Sequence, residues 1–321
     1  MANKQDSNNE IRVAVVGVGQ LGQHHARLYS EMPGIKLVGV VDEDIKRAKK
    51  IAKQCKTEAY NNYRDMDGKV DAVNIAVPTA LHFSIGSFFL KKGIHCLVEK
   101  PITPSLEQAK GLLDIARSRK LILQVGHIER FNPAVTEAQK YIENPRFIEA
   151  NRLGPYSPRT SDVSVVLDLM IHDIEIILYL VNSPLETIDA IGARVLSPSE
   201  DIANARLKFA NGCVANVSAS RISIEKFRKI RIFQENNYIS LDYAKPSVKI
   251  YSKKKEVINS FKDIRIQHPR LTKINALGEE IKHFIDCVRQ QRTPIVSGER
   301  GRDALEVCLE ILKTIQRENK R

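Results

Sequence analysis

Residues Arg12 to Asp42 read RVAVVGVGQLGQHHARLYSEMPGIKLVGVVD. An apolar run, Val13 to Val16, predicts a strand; it ends in Gly17-Val18-Gly19-Gln20-Leu21-Gly22, and a helical stretch follows to about Met32. A second apolar run, Lys36 to Val41, closes on Asp42. Three glycines at this spacing do three jobs. Gly17 permits a tight turn, Gly19 lets backbone approach a pyrophosphate, and Gly22 lets helix pack closely on strand. The diphosphate then sits at the helix N-terminus, where free N–H groups and the macrodipole favour an anion; Gln20 and Leu21 complete that cradle. Asp42 lies twenty residues beyond Gly22, at the end of the second strand. A carboxylate there hydrogen-bonds an adenine-ribose diol and repels a 2′-phosphate, so NAD is expected rather than NADP. A purely structural glycine turn is the competing reading; the strand, helix, second strand and terminal acid together favour the dinucleotide.

The alternation continues downstream. Asp44 to Lys56 reads as a basic amphipathic helix and Val70 to Val77 (VDAVNIAV) as a buried parallel strand, broken by Pro78-Thr79. A helix from about Leu81 to Lys92 ends at Gly93, and His95 to Val98 forms a short strand followed at once by Glu99-Lys100-Pro101. Thr103 to Arg119 reads as a helix with Pro104 near its first turn, and Leu121 to Val125 as one more strand. This is the pattern of a doubly wound parallel sheet, whose ligands lie just past the strand C-termini. Val77-Pro78, Glu99-Lys100 and Gly126-His127 occupy such positions.

After Gly126 the pattern changes. The turn-rich His127-Ile128-Glu129-Arg130-Phe131-Asn132-Pro133 precedes a helix, a strand near Arg146 to Leu153, the loop Gly154 to Val163 and an apolar helix over Val165–Val181. Six β-rich runs follow between Thr187 and Lys253, separated by turn signals such as Asn211-Gly212, and two helices, about Asn275–Gln290 and Gly301–Arg317, finish the chain. The expected class is therefore α/β: an N-terminal Rossmann doubly wound parallel sheet plus a C-terminal α+β domain with an open, mainly antiparallel sheet. Residues 1–126 form the dinucleotide-binding domain, with 1–10 a frayed tail, and 127–321 a substrate-binding and oligomerisation domain. No internal repeat or low-complexity segment interrupts them.

At 321 residues the chain has ample room for buried cores, and 43% hydrophobic with 27% charged residues is ordinary for a soluble globular protein. No apolar run approaches the ~18 residues that span a bilayer. The polar first ten residues lack the apolar segment of a secretory signal. Five cysteines, odd in number and without a CxxC pair, point to reduced thiols in a cytoplasm and to no zinc site. The net charge of +12 favours anionic partners, either a phosphorylated metabolite or nucleic acid. It is spread over Lys46–Lys56, Lys226–Arg231, Lys253–Lys255 and the C-terminal tail without aromatic interleaving, so solvated faces account for most of it.

The helix Leu167 to Tyr179 carries the second informative pattern. At 100° per residue, Asp168, His172, Glu175 and Tyr179 fall within about 60° of one another, with Asp173 well to the side. Such a stripe either faces water or serves a ligand, and an Asp one turn before a His orients the ring and raises its basicity. His172 is then a general base supported by Asp168. A metal at this pair lacks a third ligand at motif spacing. Lys100, at a strand mouth, is either a surface lysine in a turn or a group that polarises an alcohol as hydride leaves. His24 and His25 read as local helix-face residues. His82 reads equally as a contact to cofactor ribose or as a helix-surface residue.

Taken together, the glycine turn, Ala76-Val77-Pro78-Thr79 with His82, Glu99-Lys100-Pro101 and Asp168-x-x-x-His172 resemble the glucose–fructose oxidoreductase / inositol dehydrogenase (Gfo/Idh/MocA) family over nearly the whole chain. The resemblance implies that Lys100, Asp168 and His172 line an active site beside nicotinamide, with Glu99 and His82 near its ribose. It also implies a C-terminal sheet used for self-association, as a dimer or tetramer. Met170 and Glu175 stand where the family often has glycine and aspartate, so a differently packed pocket is expected. The stretches Val125–Pro133 and Leu153–Val163 are most similar to a nucleotide-sugar branch, the UDP-N-acetylglucosamine 3-dehydrogenases. These make a 3-keto sugar for a partner aminotransferase in diamino-sugar lipid A synthesis. That likeness implies substrate contacts from Arg159 and Tyr156, at the diphosphate, and from His127, Arg130 and Glu175. The alternatives are a dehydrogenase of a UDP-sugar acid, of inositol or of a free sugar, and, in another class, a non-catalytic NAD-binding sensor. Neither nucleic acid nor membrane is an expected partner.

Overall fold

The computed structural model describes residues 10–157 and 163–318. The first apolar runs form six parallel strands: β1 (Ile11–Val16), β2 (Ile35–Val41), β3 (Glu58–Tyr60), β4 (Ala72–Ile75), β5 (His95–Glu99) and β6 (Leu123–Gly126). Their order is β3-β2-β1-β4-β5-β6, the doubly wound arrangement the sequence predicts. Helices α1 (Gly22–Glu31), α2 (Ile45–Cys55), α3 (His82–Lys91) and α4 (Leu106–Ser118) connect them. Asp44 caps α2 by accepting the N–H groups of Lys46 and Arg47 at 3.0 and 3.3 Å. α4 starts three residues later than the expected Thr103. Pro104 disfavours a helical Thr103, and Ser105 is the cap, accepting Gln108 N–H at 3.3 Å.

The chain divides into two compact units, the first formed by residues 1–127 with 277–302 and the second by 128–276 with 303–321. The first unit is thus built from two stretches of chain, where a single cut after residue 126 was expected. The cause is α7 (Ala276–Gln290), whose Ile281, Phe284, Ile285 and Val288 are buried in one apolar cluster with Val13, Val15, Tyr29 and Leu97. Beyond it, Val296 accepts the N–H of Val125 at 3.0 Å and Ser297 bridges to Gln124, so this segment covers the β6 edge.

The second unit holds eight further strands: β7 (Phe147–Leu153), β8 (Leu185–Ala193), β9 (Ile202–Phe209), β10 (Val214–Ser220), β11 (Phe227–Phe233), β12 (Asn237–Asp242), β13 (Ser247–Lys253) and β14 (Ile264–Gln267). Their order is β14-β13-β12-β11-β7-β10-β9-β8, antiparallel except for β7 against β10. Strict alternation in β9, with Ala203, Ala205, Leu207 and Phe209 buried, leaves the other face open. The inner face packs on α6 (Ile171–Val181), on α5 (Pro133–Ala138) and on Ala304, Val307, Cys308, Ile311 and Ile315 of α8 (Gly298–Glu318). All five cysteines are buried and unbridged. Among the described residues no helix is long and apolar enough to cross a membrane.

Candidate active site

In the first unit the three glycines separate by what surrounds them. Gly17 has φ +85° and a Cβ there would lie 2.5 Å from Ala76 O; a Cβ on Gly22 would lie 1.8 Å from Gly17 O. Both are demanded by the chain itself. A Cβ on Gly19 meets only an Arg47 nitrogen, at 4.0 Å. Its open side is the cradle that a pyrophosphate needs, at the start of α1, so these residues fit the nucleotide expected of them. Asp42 is buried at the end of β2, where Oδ2 accepts Val18 N–H at 3.0 Å and Oδ1 accepts Asp44 N–H at 3.0 Å. The Arg47 guanidinium lies 3.4 Å away. The acid is therefore tied directly to the glycine turn. Leu21 is exposed, and Gln20 O accepts the amide of Gln23 at 3.2 Å.

The next strand ends carry Val77-Pro78 and Glu99-Lys100-Pro101, and the Lys100–Pro101 peptide is cis. His82, at the start of α3, is buried with Nε2 2.9 Å from Val77 O and Nδ1 2.9 Å from Pro101 O. Burial lowers its pKa despite those carbonyls. Both ring nitrogens face backbone oxygens, and the single N–H of the neutral ring donates to one of them, so His82 ties down a strand-end turn rather than pointing a nitrogen at a ribose hydroxyl. Glu99 is held by His25, whose Nε2 lies 3.1 Å from Oε1, and a Cβ on Gly126 would fall 2.9 Å from Oε2. Gly126 thus makes room for the carboxylate. Lys100 is half-buried beside it, and His127, just past β6, is buried. His25, expected on a local helix face, is instead 1% exposed; sequence reasoning missed its link to Glu99.

In the second unit the expected helix begins as a π-helical turn, Val166–Met170, before α6. Such wide turns recur at functional sites. Asp168 lies within that turn and His172 just after it, both half-buried. The rest of the expected stripe is closed over. The Arg130 guanidinium sits 3.1 Å from the centre of the Tyr179 ring and 3.7 Å from Glu175, and Arg130 and Glu175 are both buried. Asp173, to the side as expected, accepts Arg152 through two hydrogen bonds of 2.7 and 3.0 Å, and Glu129 accepts a third at 3.0 Å. Sequence spacing offered no sign of this trio. Tyr156 is exposed, and Arg159 lies outside the described residues. The described loop end is anchored by Arg221, which donates to Val163 O at 2.5 Å and to Asp201 Oδ1 at 2.9 Å. Among the described residues, no group of three or more His, Cys, Asp or Glu is placed to hold a metal.

Residues 11–127 match the model of an oxidoreductase family with an NAD-binding Rossmann fold, and residues 139–240 match the GFO/IDH/MocA C-terminal domain. The chain is 34% identical to the UDP-N-acetylglucosamine 3-dehydrogenase of Acidithiobacillus ferrooxidans, over 95% of this chain and 97% of that one. It is 29% identical to a scyllo-inositol 2-dehydrogenase (NAD(+)) of Bacillus subtilis, over 90% and 89%. The solved structure of the A. ferrooxidans enzyme superposes with a TM-score of 0.90, covering 95% of this chain and 98% of that one. With the glycine cradle, the buried acid of β2 and both sheets in place, the chain belongs to the Gfo/Idh/MocA family and is an NAD-binding oxidoreductase.

Proposed function

We propose that this protein oxidises a secondary hydroxyl of a nucleotide sugar, with the 3-hydroxyl of UDP-N-acetylglucosamine as the foremost substrate. The observation that carries the reading is the 34% identity to a UDP-N-acetylglucosamine 3-dehydrogenase over nearly the full length of both chains. The retained Lys100, Asp168 and His172 support it. When bound, NAD supplies the hydride acceptor. Within the chain, His172 takes the hydroxyl proton, Asp168 orients its ring, and Lys100 polarises the same oxygen. The first unit holds the cofactor through Gly17, Gly19, Gln20, Leu21, Gly22, Asp42, Val77, Pro78 and Glu99; His82 shapes that site through the Val77 and Pro101 carbonyls.

The second unit supplies substrate contacts and self-association, as a dimer or tetramer. Arg159 and Tyr156 meet the diphosphate, because a guanidinium suits bidentate phosphate contact. His127, the last residue of the first unit, adds a further substrate contact, while Arg130 and Glu175, buried against each other and Tyr179, brace the helix that carries His172 rather than touch substrate. The ketone passes to a partner aminotransferase in the cytoplasm, in diamino-sugar lipid A synthesis. Inositol is the second reading, favoured by the 29% identity to a scyllo-inositol dehydrogenase over 90% of the chain.

The test is NADH formation against a panel of UDP-sugars, inositols and free sugars, with and without a transaminase and amino donor to draw off ketone. Turnover is expected with UDP-N-acetylglucosamine, and turnover with inositol alone selects the second reading. His172→Asn and Lys100→Met are each expected to lower kcat by about 10²–10⁴ with NAD binding retained. Near-wild-type turnover in both removes the assignment.

A further inference from the structure

The interior of the first unit contains a polar layer that neither the fold nor the cofactor cradle accounts for. Asn74, Leu97 and Gln124 lie in register across β4, β5 and β6, and Glu99 pairs with Gly126 one pleat further on. Leu97 belongs to the apolar cluster beneath α1 and α7, so the row faces those helices. From α1, His25 and Tyr29 reach the layer one turn apart; from α7 comes Glu280, which is 0% exposed. Among the described residues, Tyr29 Oη, Asn74 Nδ2, Gln124 Oε1 and both Glu280 carboxylate oxygens meet no hydrogen-bond partner. A polar group in an apolar core is costly unless it is paired, about 1–3 kcal/mol for each hydrogen bond left unmade. An apolar core of the same volume avoids the cost, so the layer calls for a role.

One chain of contacts leads out of it. Asn74 Oδ1 lies 2.7 Å from His25 Nδ1, and His25 Nε2 lies 3.1 Å from Glu99 Oε1. The imidazole is fixed at both nitrogens, Nδ1 against the Asn74 side-chain amide and Nε2 against the carboxylate at the strand mouth. We propose that His25, held by Asn74, is the positioning residue that aims the Glu99 carboxylate at the cofactor. This rests on the reading of Glu99 as a contact to the nicotinamide ribose. The titratable groups that face Glu99 are His25 from α1, His82 from α3 and Glu280 from α7. Burial, and then the charge on Glu99, push the Glu280 carboxyl well above the ordinary carboxylate range. Burial of this kind favours the neutral carboxyl, so Glu280 backs the layer as a neutral group.

Wild type, Glu99→Gln, His25→Leu and His25→Gln are to be titrated with NADH by cofactor fluorescence at pH 7, with melting curves as the check on folding. Glu99→Gln and His25→Leu are each expected to raise the NADH Kd about tenfold, the loss of one charge-assisted hydrogen bond. His25→Gln, whose amide N–H still reaches the carboxylate, recovers most of the affinity, which a packing role would not produce. A wild-type Kd in His25→Leu with a weakened Glu99→Gln overturns the inference and leaves the reading of Glu99 standing. A wild-type Kd in Glu99→Gln overturns that reading and the inference with it. Should His25→Leu fail to fold, Asn74→Ala is titrated in its place: a raised NADH Kd is expected, and a wild-type Kd overturns the inference.

Discussion

Replacing Asp201 with asparagine removes one charge and almost no volume from the second unit. The carboxylate is 0% exposed, and its Oδ2 accepts three backbone N–H groups, Val195 at 2.8 Å, Leu196 at 2.6 Å and Ser197 at 2.9 Å. Oδ1 accepts the Ser197 hydroxyl at 2.5 Å and Arg221 Nε at 2.9 Å. An amide must aim its own N–H groups either at three donors or at Arg221, which is itself buried. Breaking one side of a buried ion pair costs about 3–5 kcal/mol, and that is the loss expected at pH 7. Burial alone would raise the Asp201 carboxyl. The bonds from Ser197, Leu196, Arg221 and Val195 outweigh it and hold the group far below the ordinary carboxylate range. A depressed folded value stabilises fully above the unfolded pKa, about 3.9, and the benefit is lost as pH falls through the folded value. The gap between wild type and Asp201→Asn should therefore be full at pH 7 and shrink below about pH 4. Urea unfolding at pH 7 and pH 3, followed by circular dichroism and tyrosine fluorescence, measures it. A gap under about 1 kcal/mol at pH 7, the scale of an exposed pair, or one no smaller at pH 3 than at pH 7, refutes the reasoning.

Two further predictions follow from the contacts. Gly22→Ala, whose Cβ would lie 1.8 Å from Gly17 O, is expected to lose the folded first unit. Gly19→Ala, with no atom nearer than 4.0 Å, should keep its melting temperature and lose NAD affinity, and calorimetry with and without NAD separates the two. Arg152→Met leaves the buried Asp173 and the half-buried Glu129 without their shared cation and should cost about 3–5 kcal/mol in urea unfolding; a loss inside the error of the fit rejects the trio as a structural anchor.

Much of this fold was legible before any coordinates. Glycine spacing, apolar runs of strand length and the alternation in IANARLKF over Ile202–Phe209 are local signals, and the strands they predict form within a few residues. The short β3 and β14 gave no such signal, since three or four residues carry no period. The amphipathic pattern of residues 276–290 shows that one face is buried but not which sheet buries it, so the grouping of α7 with the first unit was hidden. The same limit applies to side chains. Asn74 in VDAVNIAV and Gln124 in LILQVG each interrupt a run read as buried strand, which was the available sign of a polar layer. Their register with each other, and with His25 and Glu280, exists only once the strands pair. On the second helix, residue spacing placed Asp168, His172, Glu175 and Tyr179 together. It did not reveal the π-helical turn, or that Arg130 covers Glu175 and Tyr179.

The return of the chain to the first sheet, through α7 and the pairing of Val296 with Val125, bears on how the molecule is made. A ribosome that has finished β6 has not yet synthesised the helix that roofs β1 and β5. The nascent nucleotide-binding unit therefore waits, with Val15, Tyr29 and Leu97 uncovered, while the whole eight-stranded sheet emerges. Cutting the gene after codon 127 to obtain a minimal cofactor-binding fragment discards a wall of that fragment's own core. A circular permutant that joins residues 277–302 to the native start would restore it.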